Sequence, residues 1–237
     1  MSRMNLNLQV ERPLVMAWGV HLFTATGALW GLLAIMATVQ HQWQAAFFWL
    51  SLAALVDSLD GTLARRFKVK GLLPGFDGAL LDNIIDYQTY VIVPAIFLYE
   101  ANLLPAATTI AGVAMVVLAS AFQFCQSDAK TDDHTFKGFP SYWNVVVFYL
   151  FMFDANPWTN FWVITTLTIL VFVPIKYLYP SRMIRYQKIT LALTGVWALL
   201  CLIVWLQYPA FQPWMLWAST LYIVYYVGLS LYMMVRQ

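Results

Sequence analysis

The chain has 237 residues, 62% of them hydrophobic and 10% charged, with a formal net charge of +2. At a mean hydropathy of +0.68, a water-soluble domain of this size would have nowhere to hide its apolar surface, so a polytopic membrane protein is implied. The few charges form no basic surface of the kind nucleic acids require, so no nucleic-acid partner is expected.

Hydropathy places eight spans, at 14–39, 43–63, 76–99, 103–124, 141–154, 158–178, 189–207 and 213–235. Most approach the roughly 20 residues that a helix needs to cross a bilayer. The fifth is short and is expected to tilt, start earlier or lie partly at the interface. The first is too long for a signal peptide and has no small-residue cleavage site. No repeat, low-complexity tract or soluble insertion interrupts the pattern, so 1–237 reads as a single transmembrane domain. Cys125 and Cys201 have neither metal nor redox spacing and read as small buried side chains.

Basic residues orient the spans. With the N-terminus inside, Arg3, Arg12, Arg65, Arg66, Lys68, Lys70, Lys130, Lys137, Lys176, Arg182, Arg185, Lys188 and Arg236 fall on one side, which is all 13 Lys and Arg. The opposite loops, around His41, Asn102, Asn156 and Tyr208, carry none. Both termini are therefore expected in the cytoplasm.

The second and third spans each carry two aspartates. In Asp57-Ser-Leu-Asp60-Gly61-Thr-Leu-Ala64-Arg65, residues 57, 60, 61 and 64 share one helix face. In Gly78-Ala-Leu-Leu-Asp82-Asn-Ile-Ile-Asp86, the spacing of four again lines one face. Asp57 and Asp82 each lie about six residues, or roughly 9 Å, from the inner end of their span. Intramembrane acids are costly and normally face a cavity that does chemistry. Carboxylates without His or Cys suit Mg²⁺ or Mn²⁺, which bind a few carboxylates together with substrate phosphates. A divalent-cation transporter would use the same acids. It would also need a polar route onward, and the outer halves of these helices are almost wholly apolar. Gly61, Ala64 and Gly78 remove bulk from the acidic faces, for close helix packing or for a ligand lying against the backbone.

Written out, the run is Asp-x2-Asp-Gly-x2-Ala-Arg-x12-Gly-x3-Asp-x3-Asp, and it resembles the signature of the CDP-alcohol phosphotransferases. Twelve residues separate Arg65 from Gly78, a wider gap than most members have. That gap, the eight spans, Val20-His21-Leu-Phe-Thr-Ala-Thr-Gly27, and Lys130 to Pro140 leading into Trp143-Asn144 resemble the bacterial branch that uses choline. The resemblance implies the family fold with two extra helices, a homodimer in the bacterial inner membrane, and an active site facing the cytoplasm. It implies transfer of a phosphatidyl group from CDP-diacylglycerol to choline, with another acceptor such as serine or inositol as the alternative within the family.

Site roles follow from the same resemblance. Asp57, Asp60 and Asp82 would hold a pair of divalent ions, Mn²⁺ or Mg²⁺, with Asp86 sharing one and acting as general base. Asp57, Gly61, Ala64, Arg65 and Gly78 would bind the CDP moiety. Choline, a quaternary ammonium, calls for aromatic faces, and Trp143, Tyr142 and Tyr87 are the candidates near the inner mouth. Arg182, Arg185 and Lys188 would meet the lipid phosphates, or anionic membrane headgroups generally. The inner loop with Asp128, Lys130, Asp132, Asp133, His134 and Lys137 would form a solvated cover.

Overall fold

A computed structural model describes residues 2–129, 135–180, 183 and 185–236, with side chains described from Arg12 onward. Arg182 and the Lys130–His134 part of the expected cover lie outside the described residues. The chain forms two compact units, Met1–Val93 and Pro94–Gln237.

In the first unit, α1 (Ser2–Val39) and α2 (Trp43–Arg66) are joined by a tight turn and pack along their length. Buried Ala17, Ala34 and Ala37 on α1, with Ala46 and Ala53 on α2, keep the contact faces low, as close helix approach in lipid requires. α1 begins well before the expected start at 14 and continues through Pro13. A short helix unmarked by hydropathy, α3 (Val69–Leu72), follows. It buries Val69 against Ala17 and Val20, with Leu63, Ala64, Phe67 and Leu73 around them.

α4 (Gly78–Asp86) starts where Asp77 accepts a hydrogen bond from the Leu80 amide at 3.0 Å, an N-cap that fixes the first turn. It passes directly into a π-helical segment, Tyr87–Ile92, and then α5 (Val93–Glu100). α1 makes room for this rod with the glycines of Gly27-x-x-x-Gly31. A Cβ on Gly27 would sit 2.8 Å from an Ile85 methyl, and one on Gly31 would sit 3.0 Å from the Gln88 carboxamide.

The second unit contains α6 (Thr109–Cys125), β1 (Thr135–Lys137), α7 (Trp143–Met152), α8 (Pro157–Phe172), β2 (Lys176–Leu178), α9 (Gln187–Gln207) and α10 (Pro213–Val235). The two strands were not foreseen. They pair antiparallel, with Phe136 opposite Tyr177, whereas residues 176–178 were expected to finish a span. Pro174 explains the difference: it lacks an N–H and disfavours helix at the preceding residue, and Val173 is accordingly extended. Gly138, directly after β1, has φ +79° and abuts the Val171 carbonyl oxygen, where a Cβ would collide. Leu178 is fastened to α10 twice, its amide donating to Ser230 Oγ at 3.2 Å and its carbonyl accepting from the Tyr226 hydroxyl at 2.9 Å.

α9 and α10 are joined by hydroxyl pairs, Thr190 with Tyr225 at 2.8 Å and Thr194 with Tyr222 at 2.7 Å. Such bonds tie helices together where lipid supplies no hydrophobic drive. Asp128 and Lys137 form an exposed ion pair at 2.7 Å. The Lys137 hydrogen bond and charge hold the Asp128 carboxyl below the ordinary carboxylate range. Cys125 is exposed at the end of α6, contrary to its expected burial, while Cys201 is half-buried.

Among the described residues, four helices are long and apolar enough to cross a membrane: Arg12–Val39, Trp43–Arg66, Gln187–Gln207 and Pro213–Val235. Three shorter apolar helices, α6, α7 and α8, accompany them. Large side chains such as Leu22, Ile110, Leu221 and Val224 stand exposed. In water they would form untenable apolar patches; against acyl chains they are at home. The protein is a multi-pass membrane protein.

Candidate metal centre and active site

α2 and α4 bring three of the four motif aspartates together. Carboxylate oxygens of Asp57, Asp82 and Asp86, all half-buried, lie within 4.8 Å of one another. α2 extends to Arg66 and α4 starts only at Gly78, so Asp57 and Asp82 are not equidistant from their helix ends as expected. The spacing of four on α4 nevertheless sets Asp82 and Asp86 one turn apart, facing Asp57. Three carboxylates this close repel one another unless a cation sits among them. An all-oxygen donor set fits Mg²⁺ or Mn²⁺ better than a metal seeking nitrogen or sulfur. Asp60, one turn further along α2, is buried at 7% exposure and is not part of this group of three.

A fourth side chain, unforeseen from the sequence, belongs to the cluster. The Tyr90 hydroxyl donates to Asp57 Oδ2 at 2.6 Å. It was legible in one respect, since residue 90 continues the spacing of four from 82 and 86.

The small residues of the motif have distinct surroundings. A methyl on Gly61 would touch the Arg65 guanidinium at 3.4 Å; among the described residues no other contact within 4 Å would arise outside the helix's own backbone. That leaves this face of α2 open. Arg65 is exposed and donates to Thr62 Oγ1 at 3.1 Å. Ala64 packs beside the Ala17–Val20–Val69 cluster, so it serves helix packing. Gly78 faces His21, whose Cε1 would lie 2.6 Å from a Cβ at that position. The imidazole is wedged against Phe76, with ring centroids 4.4 Å apart, and its buried Nε2 has no hydrogen-bond partner among the described residues.

The contact between Gly78 and His21 leads to a measurable expectation. Gly78→Ala must displace the His21 ring or the start of α4, and overpacking of this kind costs about 1–3 kcal/mol. A lowered midpoint in thermal unfolding of the detergent-solubilised protein checks this, and an unchanged midpoint contradicts it.

The expected choline contacts are divided between the two units. Tyr87 is half-buried at the start of the π-helical segment. In the second unit, Trp143 is fully enclosed, its indole N–H donating to Ser120 Oγ at 2.7 Å. Tyr142 is half-buried, edge-on to Phe136. Of the basic cluster, Arg185 is exposed with its guanidinium 5.0 Å from the Tyr186 ring centroid, and Lys188 is exposed.

A family model described as CDP-alcohol phosphatidyltransferase matches residues 20–179, a stretch that includes all four aspartates. The chain is 41% identical to a phosphatidylcholine synthase of Pseudomonas aeruginosa, over 93% of each sequence. It is also 41% identical to a phosphatidylcholine synthase of Legionella pneumophila, covering 91% of this chain and 88% of the relative. A third relative of that name, from Mesorhizobium japonicum, is 41% identical over 80% of this chain and 70% of its own length.

Proposed function

Because the chain belongs to the CDP-alcohol phosphatidyltransferase family, we propose that it transfers the phosphatidyl group of CDP-diacylglycerol to choline, giving phosphatidylcholine and CMP. The observation that carries this reading is the meeting of Asp57, Asp82 and Asp86 within 4.8 Å, drawn from two helices of one motif. Relatives named for this activity, similar over most of the chain, support choline as the acceptor.

In this reading Asp57, Asp82 and Asp86 hold a divalent ion, with Asp60 contributing to a second. When bound, such ions neutralise diphosphate charge and polarise the phosphorus under attack. Asp86 accepts the choline hydroxyl proton. The hydroxyl oxygen then bonds to the phosphorus that carries diacylglycerol, and the anhydride bond to CMP breaks. The open face at Gly61 admits the cytidine diphosphate, with Ala64 and Gly78 bordering it. Arg65 leaves its Thr62 contact to meet phosphate charge. Aromatic faces hold the trimethylammonium group, with Tyr87, half-buried next to Asp86 in the chain, as the proposed contact. Arg182, Arg185 and Lys188 receive the lipid phosphates. The eight-span topology with both termini cytoplasmic, the bacterial inner membrane, the cytoplasm-facing site and a homodimer complete the proposal.

Purified protein given CDP-diacylglycerol, Mn²⁺ and labelled choline should release CMP only when choline is present. Release that depends on serine or inositol would reassign the acceptor. No release with any alcohol would favour cation passage through the same acids.

A further inference from the structure

Tyr90 is a polar side chain outside the family motif that touches the acidic cluster. Its hydroxyl lies 2.6 Å from Asp57 Oδ2, the short distance of a hydrogen bond to a charged acceptor. The ring comes from the π-helical segment, and the backbone irregularity and the contact are linked. In an α-helix each residue turns about 100°, so a stripe spaced by four drifts steadily around the rod. The wider i→i+5 turn advances each residue less. Tyr90 is thereby drawn back toward the azimuth of Asp82 and Asp86.

The segment is also held on its other side. Gln88 Nε2 donates to the Ala28 carbonyl at 3.3 Å, and Thr89 Oγ1 donates to the Ile85 carbonyl at 3.0 Å. Gly31 permits that seating, since a Cβ there would press on Gln88 and on the Thr89 methyl at 3.1 Å. α1, the π-helical segment and α2 are thus connected through residues that flank the carboxylates without being carboxylates.

We propose that Tyr90 is a positioning residue: by holding one oxygen of Asp57 it fixes the plane of that carboxylate, and so where its other oxygen points within the group formed with Asp82 and Asp86. Partners of this kind behind metal ligands typically change metal affinity or activity about 10–100-fold when removed. The inference rests on the metal reading of the three aspartates, and the experiment separates the two.

Mn²⁺ binding is measured by calorimetry on the full-length protein in detergent, without lipid or choline, alongside thermal unfolding and turnover against Mn²⁺ concentration. Tyr90→Phe should weaken Mn²⁺ binding by about 10-fold or more. Its turnover should approach that of the unaltered protein once Mn²⁺ is raised to saturation, while Tyr99→Phe, on exposed α5 surface, changes neither. A residue that only packs would lower the unfolding midpoint and leave Mn²⁺ affinity alone, and that result overturns the proposal. If the unaltered protein binds no Mn²⁺, the metal reading fails first and this inference with it; equal affinities in the two proteins overturn the inference alone. Should Tyr90→Phe not fold, a fluorotyrosine in place of Tyr90 gives the same decision in an otherwise intact chain. Its fluorine resonance should move as Mg²⁺ is titrated, and a resonance that stays fixed overturns the proposal.

Discussion

Asp86→Asn should bind CDP-diacylglycerol within a few-fold of the unaltered protein yet lose about 10²–10⁴-fold in CMP release, the usual contribution of a positioned general base. The amide matches the carboxylate in shape but cannot take the choline proton. Because Asp86 also belongs to the group of three carboxylates, part of the loss will come from weaker metal binding. Saturating Mn²⁺ separates the two effects: the share restored belongs to ion binding, and the defect that persists belongs to proton transfer. A variant with full turnover at any Mn²⁺ concentration would refute the base role.

Stripping divalent ions with a chelator should abolish CMP release, and Mn²⁺ or Mg²⁺ should restore it. The three carboxylates also crowd within 4.8 Å of one another, so a cation among them relieves their mutual repulsion. Stability should therefore rise with added metal, as it does for any ligand bound only by the folded state, by about 2.7 kcal/mol at a concentration 100 times the dissociation constant. Thermal unfolding in detergent, with and without Mn²⁺, reads this directly. Undiminished turnover in excess chelator would show that the acids serve something other than a bound cation.

The convergence of α2 and α4 was legible because intramembrane acids at helical spacing have few uses and each stripe has only one face. Asp57, Asp82 and Asp86 meet as their periodicity implies. Asp60 shares the stripe on α2 but lies outside the group, because a stripe defined by residues 57, 60, 61 and 64 is broad and its members point in directions that differ by tens of degrees. Tyr90 was missed because a tyrosine in an apolar span reads as an interfacial anchor or as packing, and nothing local in Tyr87–Ile92 announces a π turn. The strands were hidden for a different reason. Lys176–Leu178 follows an apolar run without a change in hydropathy, and pairing with Thr135–Lys137 depends on residues about forty positions away, beyond the reach of any window. Gly78 showed that it spares space, but only the fold identifies the beneficiary as His21.

The double fastening of Leu178 bears on the two helices that lie beyond the region shared with the wider family, which ends at residue 179. Ser230 and Tyr226 satisfy the amide and the carbonyl of one residue at the very edge of that shared region. Without them, both main-chain polar groups of buried Leu178 would need new partners, at about 1–3 kcal/mol for each one left unmet. The closing hairpin therefore acts as a keystone for its neighbour, and chimaeras spliced just after residue 179 would have to supply substitute hydroxyls.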